Sequence, residues 1–278
     1  MQKNKPFTAR ETCPLCGCIK FDIIVSALYT DPRVMNFITK YYGGRVPTDI
    51  FSGTPYEIRQ CAECGLFRQA YTLNDSLSFQ LYEKWIDSKD SLNKKLYGDA
   101  QLYRTYAEEM SVIISLTEKM PHEINVLDFG MGWGFWCRMA QAFNINVTGF
   151  ELSKKRLRYA EKMGIKTISS LSGSKERYDF INAHQVFEHV SDPVGLLKEL
   201  CRLLKSGGAI RLSTPNAGHE IKEFITETWK ADKNAFHPLE HLNGFCKKTL
   251  IRLGETASLT EIENVPLSHP TQIYFRKP

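Results

Sequence analysis

Apolar positions in the second half of the chain recur in two alternating rhythms. Ile124, Val126 and Leu127 form a short apolar run that ends in Asp128, as a strand buried on both faces does. Phe135, Cys137, Met139, Ala140 and Phe143 then follow in a helical pattern. A second apolar run, 147–151, ends in Glu151, and a helix is predicted from about Lys154 to Met163 with Gly164 placed to end it. Ile165, Thr167 and Ile168 give a third strand, and Asp179 to Ala183 a fourth. The leucines at 196, 197, 200, 203 and 204 mark a helix closed by Gly207-Gly208, before a fifth strand from Ala209 to Ser213. Strands alternating with helices predict an α/β fold around a mostly parallel sheet.

The first half is patterned otherwise. Phe21, Ile23 and Val25 alternate as a strand does, and so do Tyr56, Ile58 and Gln60. Between them, Tyr41-Tyr42-Gly43-Gly44 and Ser52-Gly53-Thr54-Pro55 read as turns. Residues 76–119 read as helices, with Leu77, Leu81 and Trp85 on one and Leu102, Tyr106, Met110, Ile113, Ile114 and Leu116 on another, closed by Pro121. Tyr82, Tyr97, Tyr103 and Tyr106 fit aromatic packing for the most part, with a pocket wall as the alternative.

Cysteine spacing changes the picture of that half. Cys13-Pro14-Leu15-Cys16-Gly17 and Cys61-Ala62-Glu63-Cys64-Gly65 repeat one C-x-x-C-G pattern. Such a turn folds two thiolates toward one point, and two of them complete the four-sulfur tetrahedron of a structural zinc. The 44 residues between Cys16 and Cys61 must then form a subdomain. A metal-free remnant and a redox pair are the alternatives. Cys18 is a spare thiol, while Cys137, Cys201 and Cys246 read as buried small hydrophobes. The expected division is therefore a zinc-binding module at 1–75, a helical cover or linker at 76–122, and a catalytic domain at 123–278.

The candidate chemistry centres on residues 126–136. After Asp128, glycines stand at 130, 132 and 134, where a tight strand-to-helix turn can bring a ligand against backbone N–H groups. Glu151, 23 residues after Asp128, can accept hydrogen bonds from a ribose diol. The G-x-G-x-G spacing is not the dinucleotide fingerprint. Together with Tyr178-Asp179-Phe180-Ile181, Gln185-Val186-Phe187-Glu188-His189-Val190, Asp192-Pro193, Leu203-Leu204-Lys205-Ser206-Gly207-Gly208 and Ser213-Thr214-Pro215-Asn216, it resembles the class I S-adenosylmethionine (SAM)-dependent methyltransferases over roughly residues 100–278.

That resemblance implies a Rossmann-like, seven-stranded, mostly parallel sheet, with a final antiparallel pair at Ile262–Leu267 and Thr271–Phe275. It implies SAM bound by Asp128, Gly130, Gly132, Gly134 and Glu151, with His184 and Gln185 along the methionine part. Where family members often carry an adenine-binding Asp, Ser169, Ser170 and Leu171 stand here, so backbone groups or a serine hydroxyl are expected to serve. A hydroxyl or acidic C–H acceptor needs a base, and His189, His237 and His241 are the candidates, against a bracing or packing role for each. The zinc module beside this domain resembles methyltransferases of nucleotide-linked sugars, natural products and cell-surface-glycan intermediates, so a small-molecule acceptor is expected. Two alternatives stand beside it. One is metal-assisted O-methylation of the quinone or RNA 2′-O type, whose Glu-x-x-Glu-His motif is here Gln185-x-x-Glu188-His189. The other is a binding protein with a vestigial SAM fold.

Bulk properties narrow the partners. Net charge is +5 with the positive residues scattered, and the densest cluster, Lys154-Lys155-Arg156-Arg158, reads as a solvated helix face rather than a nucleic-acid patch. No apolar run approaches the roughly 20 residues of a membrane helix. The basic start, Met1 to Pro6, is not followed by a signal core, so a cytoplasmic location is expected. Oligomeric state is left open.

Overall fold

The computed structural model describes residues 5–98, 100–224, 226 and 229–278, without the Phe224 side chain; most of the basic start therefore lies outside the described residues. In chain order come β1 (Phe7–Ala9), β2 (Phe21–Leu28), α1 (Pro32–Tyr41), β3 (Pro55–Cys61), β4 (Phe67–Gln69), β5 (Tyr71–Leu73) and α2 (Asp75–Gln80). Then follow α3 (Ser88–Leu96), α4 (Ala100–Thr117), β6 (Asn125–Phe129), α5 (Phe135–Ala142), β7 (Asn146–Phe150), α6 (Lys154–Lys162), β8 (Lys166–Ile168) and β9 (Tyr178–His184). The chain closes with α7 (Pro193–Leu203), β10 (Leu204–Ser213), α8 (Ala217–Phe224), β11 (Asn243–Gly244), α9 (Lys247–Glu255), β12 (Thr260–Glu261) and β13 (Gln272–Arg276).

These elements form two compact units. The first takes the chain up to Asp87 together with Glu188–Pro193 and Thr214–Thr249; the second takes Ser88–Phe187, Val194–Ser213 and Leu250–Pro278. This partition differs from the linear division at 75 and 122. The physical reason is in the first unit's core. Ala217, Trp229, Ala235, Phe236 and Leu239 are buried there with Tyr29, Phe51, Tyr56 and Phe67, and β11 pairs with β4 to extend its antiparallel sheet to β11-β4-β3-β2. Apolar burial therefore draws a late segment into the N-terminal module. The expected turn is present at Tyr42-Gly43-Gly44 and loses only Tyr41 to α1, whose Asp31 cap accepts from the Arg33 N–H and whose Val34 and Ile38 are buried.

The second unit holds a seven-stranded sheet in the order β12-β13-β10-β9-β6-β7-β8. The strands from β10 to β8 run parallel, and β13 joins antiparallel to both β10 and β12. Val126, Val147 and Phe180 lie in its core with Met110 and Ile113 from α4, which explains the continuous apolar runs. Two expected boundaries move. α7 ends at Leu203, and Gly207-Gly208 sit within an irregular stretch of β10 instead of closing the helix. The partner of β13 is Thr260–Glu261, with only the Ile262 N–H continuing the ladder to Tyr274, so 263–267 is not strand. Three of the four tyrosines expected to pack are exposed instead: Tyr82, Tyr97 and Tyr103. No helix among the described residues is long and apolar enough to cross a membrane.

Candidate cofactor, histidine and cysteine sites

In the second unit, β6 and β9 are neighbours from which the strand order runs outward in opposite directions; in such sheets ligands lie at the C-terminal ends of that pair. The glycine turn leaves β6 there. Gly130 and Met131 donate their N–H groups to the Phe150 carbonyl, both at 3.0 Å, tying the turn to the end of β7. Gly134 caps α5 in the left-handed region (φ 79°), and a Cβ there would stand 2.5 Å from Ile165 Cδ1 and 3.3 Å from Ala160 Cβ. Gly132 is also left-handed (φ 58°), but a Cβ there would meet nothing within 4 Å. The third glycine closes the packing, and the second leaves room over the turn.

Glu151 follows β7 directly. Its Oε1 accepts from the Leu152 and Ser153 N–H groups at 2.8 and 2.9 Å, which aims the carboxylate. Oε2 lies 3.5 Å from the Arg156 guanidinium. His184 ends β9 exposed, and Gln185 beside it is left-handed (φ 55°), held by its N–H to the Ser213 carbonyl at 2.7 Å. A non-glycine residue in that conformation is strained, and such strain gathers at functional sites. Asp128 differs from the other cofactor candidates, because its carboxylate is buried and already bonded by the Asn182 amide at 2.7 Å and the Cys137 thiol at 3.3 Å. Burial raises its pKa to about 6. After β8, Leu171 is buried, and Ser170 Oγ accepts from the Ser172 N–H at 3.2 Å.

The three candidate histidines all belong to the first unit. The His189 and His241 ring centroids are 4.8 Å apart, and those of His237 and His241 5.3 Å. His189 Nδ1 lies 2.9 Å from the Glu240 carbonyl oxygen and 3.2 Å from the Tyr82 hydroxyl. The carbonyl can only accept, so Nδ1 carries the proton and Nε2 keeps its lone pair. Nε2 stands 3.9 Å from Glu188 Oε1. His237 is 1% exposed, packed edge-on to Phe37 and Tyr41, and burial lowers its pKa to about 4. His241 is likewise buried and held well below the usual imidazole range. Burial thus keeps His237 and His241 neutral, and the His189 side chain is a quarter exposed (24%).

Sequence reasoning passed over Glu240, and it read Tyr82 as packing or a pocket wall without joining it to the histidines. Tyr82 lies on a π-helical turn, Leu81–Trp85, an irregularity that apolar periodicity does not reveal. Glu188, already noted beside His189, is 1% exposed with neither carboxylate oxygen hydrogen-bonded among the described residues, and burial raises its pKa to about 8. Glu188, His189 and His241 offer ligand atoms all within 4.8 Å of one another. The Gln185 of the expected metal motif belongs to the other unit.

Cys13, Cys16, Cys61 and Cys64 also converge, with Sγ atoms within 4.8 Å and the pairs Cys13–Cys64 and Cys16–Cys61 at 3.5 Å. A tetrahedral zinc with sulfurs at about 2.3 Å needs S–S separations of roughly 3.8 Å, so the donor set fits that ion. The two knuckles are built alike: Gly17 and Gly65 donate to the carbonyls of Cys13 and Cys61, each at 2.9 Å. Cys18 stays outside, its sulfur accepting from the Lys20 N–H at 3.2 Å.

Residues 100–263 match the family described as a methyltransferase domain. A ubiquinone biosynthesis O-methyltransferase of Nitrosomonas europaea is 31% identical over 148 residues, 49% of this chain and 60% of that protein. An uncharacterized protein of Methanocaldococcus jannaschii is 32% identical over 133 residues, covering 46% of this chain and 55% of its own length. The chain thus spans about half the length of the curated relatives it matches. Among solved structures, a SAM-dependent methyltransferase of Mesorhizobium loti is 18% identical over 62% of this chain and 98% of that one, with a TM-score of 0.43.

Proposed function

Because the chain belongs to the methyltransferase-domain family, we propose that it transfers the methyl group of SAM to a small-molecule acceptor. The observation that carries this reading is the left-handed glycine turn with open room at Gly132, beside a Glu151 whose Oε1 is fixed by backbone N–H groups. Gly130, Gly132 and Gly134 cradle the cofactor with His184 and Gln185, and Glu151 Oε2 accepts from the ribose hydroxyls. Asp128 acts from below the turn as a buried charge. The sulfonium methyl is already activated, so alignment of the acceptor and exclusion of water supply most of the rate. His189 is the proposed base, through Nε2, the ring nitrogen left unprotonated when Nδ1–H donates to the Glu240 carbonyl. Cys13, Cys16, Cys61 and Cys64 hold a structural zinc.

The acceptor class we favour is a nucleotide-linked sugar or a natural-product or glycan intermediate, methylated in the cytoplasm. Incubating the protein with cell extract and isotopically labelled SAM, then reading the extract by mass spectrometry, tests it. A labelled small molecule supports the proposal; label only in RNA, or none at all, overturns it.

One observation favours a second reading. The buried, unpartnered Glu188 carboxylate beside the imidazoles of His189 and His241 is a donor set suited to a divalent transition ion. An ion there would acidify a hydroxyl acceptor and replace His189 as the activating group. Activity lost to a chelator and restored by manganese or cobalt, with melting temperature raised by the same ion, favours this reading. Chelator-resistant activity in zinc-replete protein excludes it.

A further inference from the structure

A row of polar side chains crosses the interior of the second unit's sheet at one register level. Arg211 on β10 is paired with Asn182 on β9, and Asn182 with Asp128 on β6. All three are buried, at 1%, 2% and 3% exposure. Arg211 Nε donates to Asn182 Oδ1 at 2.8 Å. That contact leaves the Asn182 amide nitrogen facing Asp128, to which it donates at 2.7 Å. The guanidinium also ion-pairs with Glu109 of α4, whose other oxygen accepts from Trp136 Nε1 at 2.7 Å.

A buried arginine is costly unless its partners compensate it, and a strand interior filled with apolar residues would be simpler. The row therefore calls for an explanation beyond packing. Asp128 stands two positions before Gly130, at the root of the glycine turn. SAM carries a sulfonium charge, and its product S-adenosylhomocysteine does not.

Resting on the cofactor reading above, we propose that Arg211 and Asn182 are positioning residues that hold Asp128 anionic and oriented, so that the site prefers the charged cofactor over its neutral product. The groups facing Asp128 are Asn182 on β9, Arg211 on β10, Glu109 and Tyr106 on α4, and Cys137 on α5. Arg211 opposes protonation of Asp128 and Glu109 favours it. Removing both charges together avoids stranding either one in the interior.

The test is calorimetric affinity for SAM and for S-adenosylhomocysteine from about pH 5 to 8, on the full chain with its metal retained. In the wild type, SAM affinity is expected to fall as Asp128 protonates near pH 6, while product affinity changes little. Glu109→Gln with Arg211→Met should move the midpoint upward, because the effect of Arg211 on Asp128 exceeds the opposing effect of Glu109, and lower the SAM-to-product preference around that midpoint. Asn182→Leu should do the same in part, and Arg211→Lys, which keeps the charge, should retain most of the preference. Melting curves identify any variant that fails to fold, and Asn182→Leu or Arg211→Lys then decides. Wild-type protein that binds neither ligand overturns the cofactor reading itself. Wild-type binding with an unchanged preference and midpoint in the folded variants overturns the positioning role alone.

Discussion

Glu151→Gln separates the two jobs assigned to that side chain. Oε1 already accepts the Leu152 and Ser153 N–H groups, and the amide oxygen of glutamine can keep both bonds. What changes is Oε2, which becomes an NH₂ that cannot accept from a ribose. Two charge-assisted bonds at roughly 1.5–3 kcal/mol each set a ceiling of about 3–6 kcal/mol. The amide recovers about 1 kcal/mol by donating one neutral bond. The net loss of roughly 2–5 kcal/mol corresponds to a dissociation constant raised about 30-fold to several thousandfold. Glu151→Ala also releases the two backbone N–H groups, so melting temperature should fall with affinity, whereas the glutamine variant should melt like the wild type. Calorimetry with S-adenosylhomocysteine is the assay. An unchanged dissociation constant for Glu151→Gln refutes the ribose assignment.

Protein purified without added metal should carry about one zinc equivalent, as a single four-sulfur site requires, and lose it in the Cys61→Ser, Cys64→Ser double variant; retention of zinc in that variant counts against the site. His189→Ala should lower turnover by roughly 10²–10⁴-fold with cofactor affinity unchanged, whereas His237→Ala, in its aromatic surround, should lower thermal stability first. Near-wild-type turnover of His189→Ala would leave alignment alone as the source of rate. Gly134→Ala should lose roughly 1–2 kcal/mol to its left-handed φ and more to the overlap with Ile165, read from denaturant midpoints, with Ile165→Val relieving the second part. An equal loss in the Gly132→Ala protein, where nothing lies within 4 Å, would show that the overlap is harmless.

Much of the second unit was legible because its information is local. Apolar runs at β6, β7 and β9 are buried on both faces, so each strand announces itself without its neighbours, and a turn that needs glycine carries glycine at 130, 132 and 134. The cysteine knuckles are legible for the same reason, since each C-x-x-C-G closes within its own few residues. What lies across the chain was not. Residues 214–249 carry no period that marks them as part of the N-terminal module; they join it because Trp229, Phe236 and Leu239 are buried there and β11 completes its sheet. The packing of His237 and His241, and the orphaned Glu188 beside them, follow from that exchange of segments. Likewise Arg211, Asn182 and Asp128 each stand in a different strand. Only the parallel register, set by the whole sheet, brings the three side chains into one row.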